Sequence, residues 1–269
     1  MHDVPYLHTT HVRSNFDVKE QIREYWSRRS ETFDQSPAHG IHSKRELATW
    51  KRLIGDSAEG IGGGRVLELA SGTGEFTRVL RALGCEVEGL DLSEAMIERA
   101  SRKHGNDVRF YLGDAENAML PDGRYDAVVC RHLIWTLLAP EDAFRDWLRV
   151  LKPGGHLVII DGNWQHQALV AKVAARVAKI WDRISPRAVL YDAVAHRLIQ
   201  DQLYFREGLL PDRLTGMLRD AGFTDVHTQS APGGPGVPAS CSRLWRDRLG
   251  LLQSLGRSFI MTARRPSET

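Results

Sequence analysis

The sequence predicts an α/β protein built on a mostly parallel sheet with helices on both faces, and three observations predict it. Between Arg65 and Ile160, short apolar runs alternate with amphipathic segments at the spacing of βαβ units. The first apolar run ends in a turn of small residues, Ala70-Ser71-Gly72-Thr73-Gly74. An aspartate, Asp91, closes the second run seventeen residues past Gly74. In open sheets of this kind a ligand lies outside the carboxyl ends of the strands, so these turns face one crevice.

The elements follow in order. From Lys19 to Phe33, Ile22, Tyr25, Trp26 and Phe33 recur at helical spacing among charges. Ser43 with Glu46 three residues on reads as a capping box, and Leu47, Trp50, Leu53 and Ile54 form the apolar stripe of the helix it opens. Strands are predicted at 65–70, 86–90, 108–112, 125–130 and 156–160, with helices at 75–83, 93–104 and 140–151. Pro140 suits the first turn of the last of these. The alternation then pauses. Residues 169–184 fit one long helix, 187–208 are mixed and partly helical, and 212–221 are helical. Strands at 223–229 and 257–263 close the pattern, with a Gly/Pro-rich loop at 231–240 and a helical piece at 244–255 between them. This divides the chain into a helical head (1–60), a core (61–162), a helical insert (163–208) and a last part of the sheet (209–269).

Composition narrows the function. In 269 residues, 36 Lys and Arg stand against 34 Asp and Glu, a net charge of +2 that lacks the basic footprint of a nucleic-acid binder. The basic stripe Lys172, Arg176, Lys179, Arg183 reads as a solvated helix face. Cys85, Cys130 and Cys241 form no CxxC pair. No signal peptide is visible, and no apolar run reaches the ~20 residues of a membrane span. The expectation is a soluble cytoplasmic protein acting on a small molecule, with neither nucleic acid nor membrane as partner and an oligomeric state left open. His8/His11 and His39/His42 have no acidic or cysteine partner at a ligand interval, so no metal is expected.

The stretch Val66-Leu67-Glu68-Leu69-Ala70-Ser71-Gly72-Thr73-Gly74-Glu75-Phe76-Thr77 carries the chemistry. A dinucleotide site wants a third glycine to pack helix on strand, and either register of the turn puts Thr77 or Glu75 there. Glu68 opposes a phosphate and suits a cationic ligand.

Together with Asp91-Leu92-Ser93, Gly113-Asp114-Ala115-Glu116, Tyr125-Asp126-Ala127-Val128-Val129 and Leu151-Lys152-Pro153-Gly154-Gly155, this stretch resembles the class I S-adenosylmethionine (SAM)-dependent methyltransferases, in their small-molecule, UbiE-like branch. Leu218 to Phe223 and Phe259 to Ala263 are similar to that family's closing helix and antiparallel hairpin. The resemblance implies a Rossmann-like seven-stranded sheet and SAM as cofactor. It implies that Glu68 and the Ala70, Gly72 and Gly74 backbone hold the methionine end. Asp91 would take the ribose hydroxyls, with Leu92 and Met96 beside the adenine. Asp114 would accept from the adenine amino group next to the Ala115 amide, and the Arg131 carbonyl would meet the ammonium. Ala70 stands where the family usually has glycine, which is tolerable at negative φ.

Other residues have two readings. His132 is a base or a structural histidine under the cofactor. Asn163-Trp164 contacts substrate or caps and packs. Tyr25 and Arg29, four apart on the head helix, are cofactor candidates, whereas Trp26 reads as core. Tyr6, Tyr191 and Tyr204 are candidate linings, with Tyr191 a catalytic candidate beside His132 and Asn163. The reaction expected is methyl transfer to O, N or C of a small molecule, releasing S-adenosylhomocysteine. The second reading is a SAM-consuming enzyme of the same fold that breaks the sulfur–Cγ bond, by external attack or by closure to azetidine-2-carboxylate, and releases methylthioadenosine. Head and insert are expected to act as lids.

Overall fold

The computed structural model describes residues 14–35, 39–58, 60–163, 193–231 and 258–267. The expected helices at 169–184 and 244–255, and the candidates Tyr6, Trp164 and Tyr191, lie outside the described residues.

Seven strands form one sheet in the order β3-β2-β1-β4-β5-β7-β6. They are β1 (Arg65–Leu69), β2 (Glu86–Asp91), β3 (Arg109–Leu112), β4 (Tyr125–Arg131), β5 (Leu151–Gly162), β6 (Thr224–Ser230) and β7 (Ser258–Arg264). β1 to β5 pair in parallel, and β7 runs antiparallel between β5 and β6. The order reverses direction at β1, between β2 and β4, and that switch point is where a doubly wound sheet opens a crevice.

The helices are α1 (Asn15–Arg29), α2 (Lys44–Ser57), α3 (Thr77–Ala82), α4 (Glu94–His104), α5 (Pro140–Val150), α6 (Ala193–Gln200) and α7 (Pro211–Asp220). Strand periodicity divides the core into two layers. Leu67, Leu69, Val128, Cys130, Leu157 and Ile159 face α5 and α7, where Phe144, Trp147, Leu214 and Leu218 are fully buried. Val66, Ala127, Val129, Val158 and Ile160 face α2 and α3, against Trp50, Ile54, Val79 and Leu80. The Trp147 indole also donates to the Ala115 carbonyl at 2.7 Å, so its burial leaves no donor unmet.

Local chemistry sets the ends. α1 begins earlier than periodicity predicts, because Ser14 and Asp17 close a capping box ahead of the apolar stripe, and it stops at Arg29 rather than Phe33. At α2 the box is half made. Ser43 accepts the Glu46 amide at 3.1 Å, but the Glu46 carboxylate accepts the His42 amide, at 2.9 Å, instead of that of Ser43. β5 starts at Leu151, five residues before its expected start, with an irregularity in its pairing to β4 where Lys152-Pro153-Gly154-Gly155 passes.

A third, smaller apolar cluster lies off the sheet. Val18, Ile22 and Tyr25 of α1 pack on Ile199 and Leu203 at the end of the insert, with Trp26 and Trp135 at the margin. Head and insert thus meet each other above the carboxyl ends of the strands. No helix among the described residues is long and apolar enough to cross a membrane.

Candidate active site

A cavity with about 970 Å³ of empty space opens over the carboxyl ends of β1, β2 and β4. Its floor is the turn after β1. Asp91 shapes that turn by accepting the Gly72 amide at 2.8 Å on one oxygen and the Ser93 amide at 2.9 Å on the other. Burial pushes the Asp91 carboxyl up to about 6 despite these donors. Glu68, buried at the end of β1, accepts from the Thr77 hydroxyl and is pushed up to about 7, again by burial.

Ala70 corrects an expectation. It sits at φ +51°, in the left-handed region, where a side chain costs roughly 1–2 kcal/mol. The turn holds it there through the Ser71 amide on the Leu90 carbonyl, at 3.1 Å, and the Gly74 amide on the Ser71 carbonyl, at 3.0 Å. Gly74 supports the turn from behind and is absent from the described cavity wall. Its φ is +77° and a Cβ there would stand 2.9 Å from the His104 ring, whose Nε2 is 2.8 Å from the Gly74 carbonyl.

At the opposite end, Leu92, Met96, Asp114 and Ala115 line the wall. The Glu116 amide donates to Asp114 at 2.9 Å, and Lys19 of α1 bonds to Asp114 and reaches the Glu116 carboxylate at 2.8 Å. Lys19 escaped the sequence reading. Its signal was present, because Lys19, Ile22 and Trp26 stand at i, i+3 and i+7 and all three line the cavity.

That same helix face corrects a second expectation. Trp26, read as core, is on the described cavity wall, whereas Tyr25 and Arg29 are not. Tyr25 points into the head–insert cluster, and the Arg29 guanidinium lies over the Trp26 ring at 5.4 Å. Beyond Trp26 the wall is made of rings. Trp26 meets Phe33 at 5.8 Å, Phe33 stacks at 4.3 Å on His39, and His39 meets His132 at 5.3 Å. His39, passed over as half of a weak metal pair, has its pKa pulled well below the ordinary value by burial first and by His132, Arg131 and Arg29 next. His132 sits at φ +61°, held by its amide on the Ile160 carbonyl at 2.9 Å, a strained placement of the kind found at functional sites.

Two expected contacts lie elsewhere. Asn163 follows β5 beside Gly208, where a Cβ would come 2.8 Å from its Oδ1, and it is not on the described wall. Tyr204 is half-exposed and donates to Glu141 at 2.8 Å. Arg131, expected to contribute its carbonyl, is on the wall, and its guanidinium lies against the ring of Phe76, another wall residue, at 5.1 Å.

The donor set runs in a usable order along the cavity: a cation and two acidic groups over the β1 turn, then Asp91, then a carboxylate between apolar surfaces. It fits a molecule with an amino-acid head, a ribose and a purine, which is the layout of SAM.

Comparison with known proteins agrees. The family described as "Methyltransferase domain" matches residues 67–159. The demethylmenaquinone methyltransferase of Paenarthrobacter aurescens is 30% identical over 203 residues, covering 72% of this chain and 76% of that protein. The ubiquinone/menaquinone biosynthesis C-methyltransferase UbiE of Azotobacter vinelandii is 30% identical over 196 residues, covering 69% and 76%. Among solved structures, the cyclase SpnF superposes with a TM-score of 0.61 at 20% identity, covering 93% of this chain and 97% of that one. The phosphoethanolamine N-methyltransferase 2 of Haemonchus contortus, in complex with SAM, gives 0.61 at 17% identity, covering 91% and 60%. These two likenesses speak for the fold alone. Sequence, sheet order and cavity converge on one conclusion: the chain belongs to the class I SAM-dependent methyltransferases, in their UbiE-like branch.

Proposed function

We propose that this methyltransferase moves the SAM methyl group to a ring carbon of a small, electron-rich aromatic molecule of the quinol class. The observation that carries the reading is the ring-built wall of Trp26, Phe33, His39 and His132 beside the methionine end of the cavity, which suits a flat aromatic acceptor. The names of the two relatives at 30% identity, a demethylmenaquinone methyltransferase and a ubiquinone/menaquinone biosynthesis C-methyltransferase, support it.

SAM supplies an electrophilic methyl on a sulfonium. Glu68 and the Arg131 carbonyl would hold its ammonium, Asp91 the ribose hydroxyls, and Asp114 and the Ala115 amide the adenine. The methyl would pass to the acceptor carbon, leaving S-adenosylhomocysteine. The ring proton then leaves to a base, for which His132, at the mouth of β4, is our candidate. Positioning contributes most of the acceleration, because attacker, methyl and sulfur must be collinear. Head and insert cover the cavity as lids and exclude water from the sulfonium.

The test is to incubate the enzyme with SAM and a reduced naphthoquinol lacking its ring methyl. S-Adenosylhomocysteine and a product one methyl heavier at carbon are expected. S-Adenosylhomocysteine formed only with amine or hydroxyl acceptors would overturn the acceptor class. Steady methylthioadenosine from SAM alone would overturn methyl transfer itself.

A further inference from the structure

The cavity holds a buried charge that no described residue neutralises at contact distance. Arg131 ends β4, and its guanidinium lies under the Phe76 ring at 5.1 Å. One nitrogen, Nη2, donates to the His39 carbonyl. The other, Nη1, is buried with no hydrogen-bond partner among the described residues. Glu68, Glu75, Glu46 and Asp34 act on this guanidinium only through space, and burial pulls its pKa down. Each of the two nearest acids along the turn is engaged elsewhere: Glu68 by the Thr77 hydroxyl, and Glu75 by Lys103 at 2.8 Å and the Ile41 amide at 3.1 Å.

An arginine fork without a carboxylate is costly to bury and is built for bidentate recognition of one. Here it shares a cavity wall with the buried carboxylate of Glu68, which accepts from the Thr77 hydroxyl and makes no ion pair with Arg131. A cation and an anion are thus held beside the same turn without pairing with each other. That arrangement matches a zwitterion, with an ammonium for Glu68 and a carboxylate for Arg131.

We propose that the Arg131 guanidinium binds the α-carboxylate of the aminobutyrate group of SAM, with Nη1 as donor. The Nη2 bond to the His39 carbonyl then has a second consequence: it couples the cofactor's carboxylate to the position of His39, hence to the aromatic wall. The proposal rests on SAM occupying this cavity.

Calorimetry on the full chain tests it with SAM, decarboxylated SAM and methylthioadenosine. Wild type should bind SAM about tenfold or more tighter than decarboxylated SAM, the scale of hydrogen bonds to a charged group. In Arg131→Gln that preference should shrink to within about threefold, while methylthioadenosine, which has no amino-acid end, should change by less than about twofold. Arg131→Lys should keep part of the preference. Equal wild-type affinity for SAM and its decarboxylated form would overturn the proposal, and that comparison needs no variant to fold. Equal losses for SAM and methylthioadenosine in Arg131→Gln would show that Arg131 only shapes the wall. Wild type that binds methylthioadenosine but not SAM would also refute the carboxylate contact, whereas wild type that binds neither would refute the cofactor's place in this cavity.

Discussion

Asp91 Oδ2 stands 2.8 Å from the Gly72 amide nitrogen, so the carboxylate proposed to take the ribose also fixes the turn that floors the cavity. Removing it should cost twice, once in the turn and once in the ligand. Asp91→Ala should weaken SAM binding by about 1.5–3 kcal/mol, the range for hydrogen bonds to a charged group. Titration calorimetry of the purified variant checks this. Affinity equal to wild type would refute the ribose role.

Ala70 should be improved by glycine. At φ +51° the methyl group is strained, and Ala70→Gly removes that strain while enlarging the freedom of the unfolded chain. The two oppose each other, and the net gain should be about 0.5–1 kcal/mol. Chemical denaturation of the two proteins should show a higher midpoint for glycine.

Glu68 makes the site pH-dependent. Its folded pKa of about 7 lies above the ordinary carboxylate value of 4.5, so the folded chain holds more protons than the unfolded one between those values. Stability without ligand should therefore fall as pH rises through roughly 4.5 to 7. SAM affinity should rise over the same window, since the ammonium wants the ionised form. Glu68→Gln should flatten both curves, measured by melting with and without SAM.

Lys19 should affect the adenine end alone. It bridges Asp114 and Glu116 from α1, and Lys19→Ala leaves those two carboxylates together without a cation. Both charged partners of the pair with Asp114 are partly exposed, so the effect on stability should be below about 1 kcal/mol. Adenosine should bind at least a few-fold more weakly, whereas the preference for SAM over decarboxylated SAM should persist. Loss of that preference would place Lys19 at the wrong end.

The sheet was legible because its signals are local. Alternating apolar runs, Pro140 at a helix start and Asp91 at a strand end each act within a few residues. The turn that floors the cavity was legible for the same reason. The substrate side was not, because it depends on which face of α1 turns inward, and Tyr25 and Trp26 are neighbours that differ by one step of 100° around the helix. Packing against Ile199 and Leu203, about 180 residues away, claims Tyr25 and leaves Trp26 for the cavity. His39 was illegible because its role comes from Phe33 and His132, which sequence spacing does not connect. Ala70 was misjudged because a turn can force a left-handed backbone on a residue that does not prefer it.

The small apolar cluster between α1 and the end of the insert has a kinetic consequence. Spent nucleoside must leave and fresh SAM must enter, and α1, which walls the cavity, packs on the end of the insert through one seam of five buried residues, Val18, Ile22, Tyr25, Ile199 and Leu203. Parting that seam leaves both sheet layers intact, so the roof can open while the floor stays formed. Turnover frequency in this enzyme should then track the strength of the seam: trimming Ile199 would hasten nucleoside exchange, and enlarging it would make each catalytic cycle wait for the door.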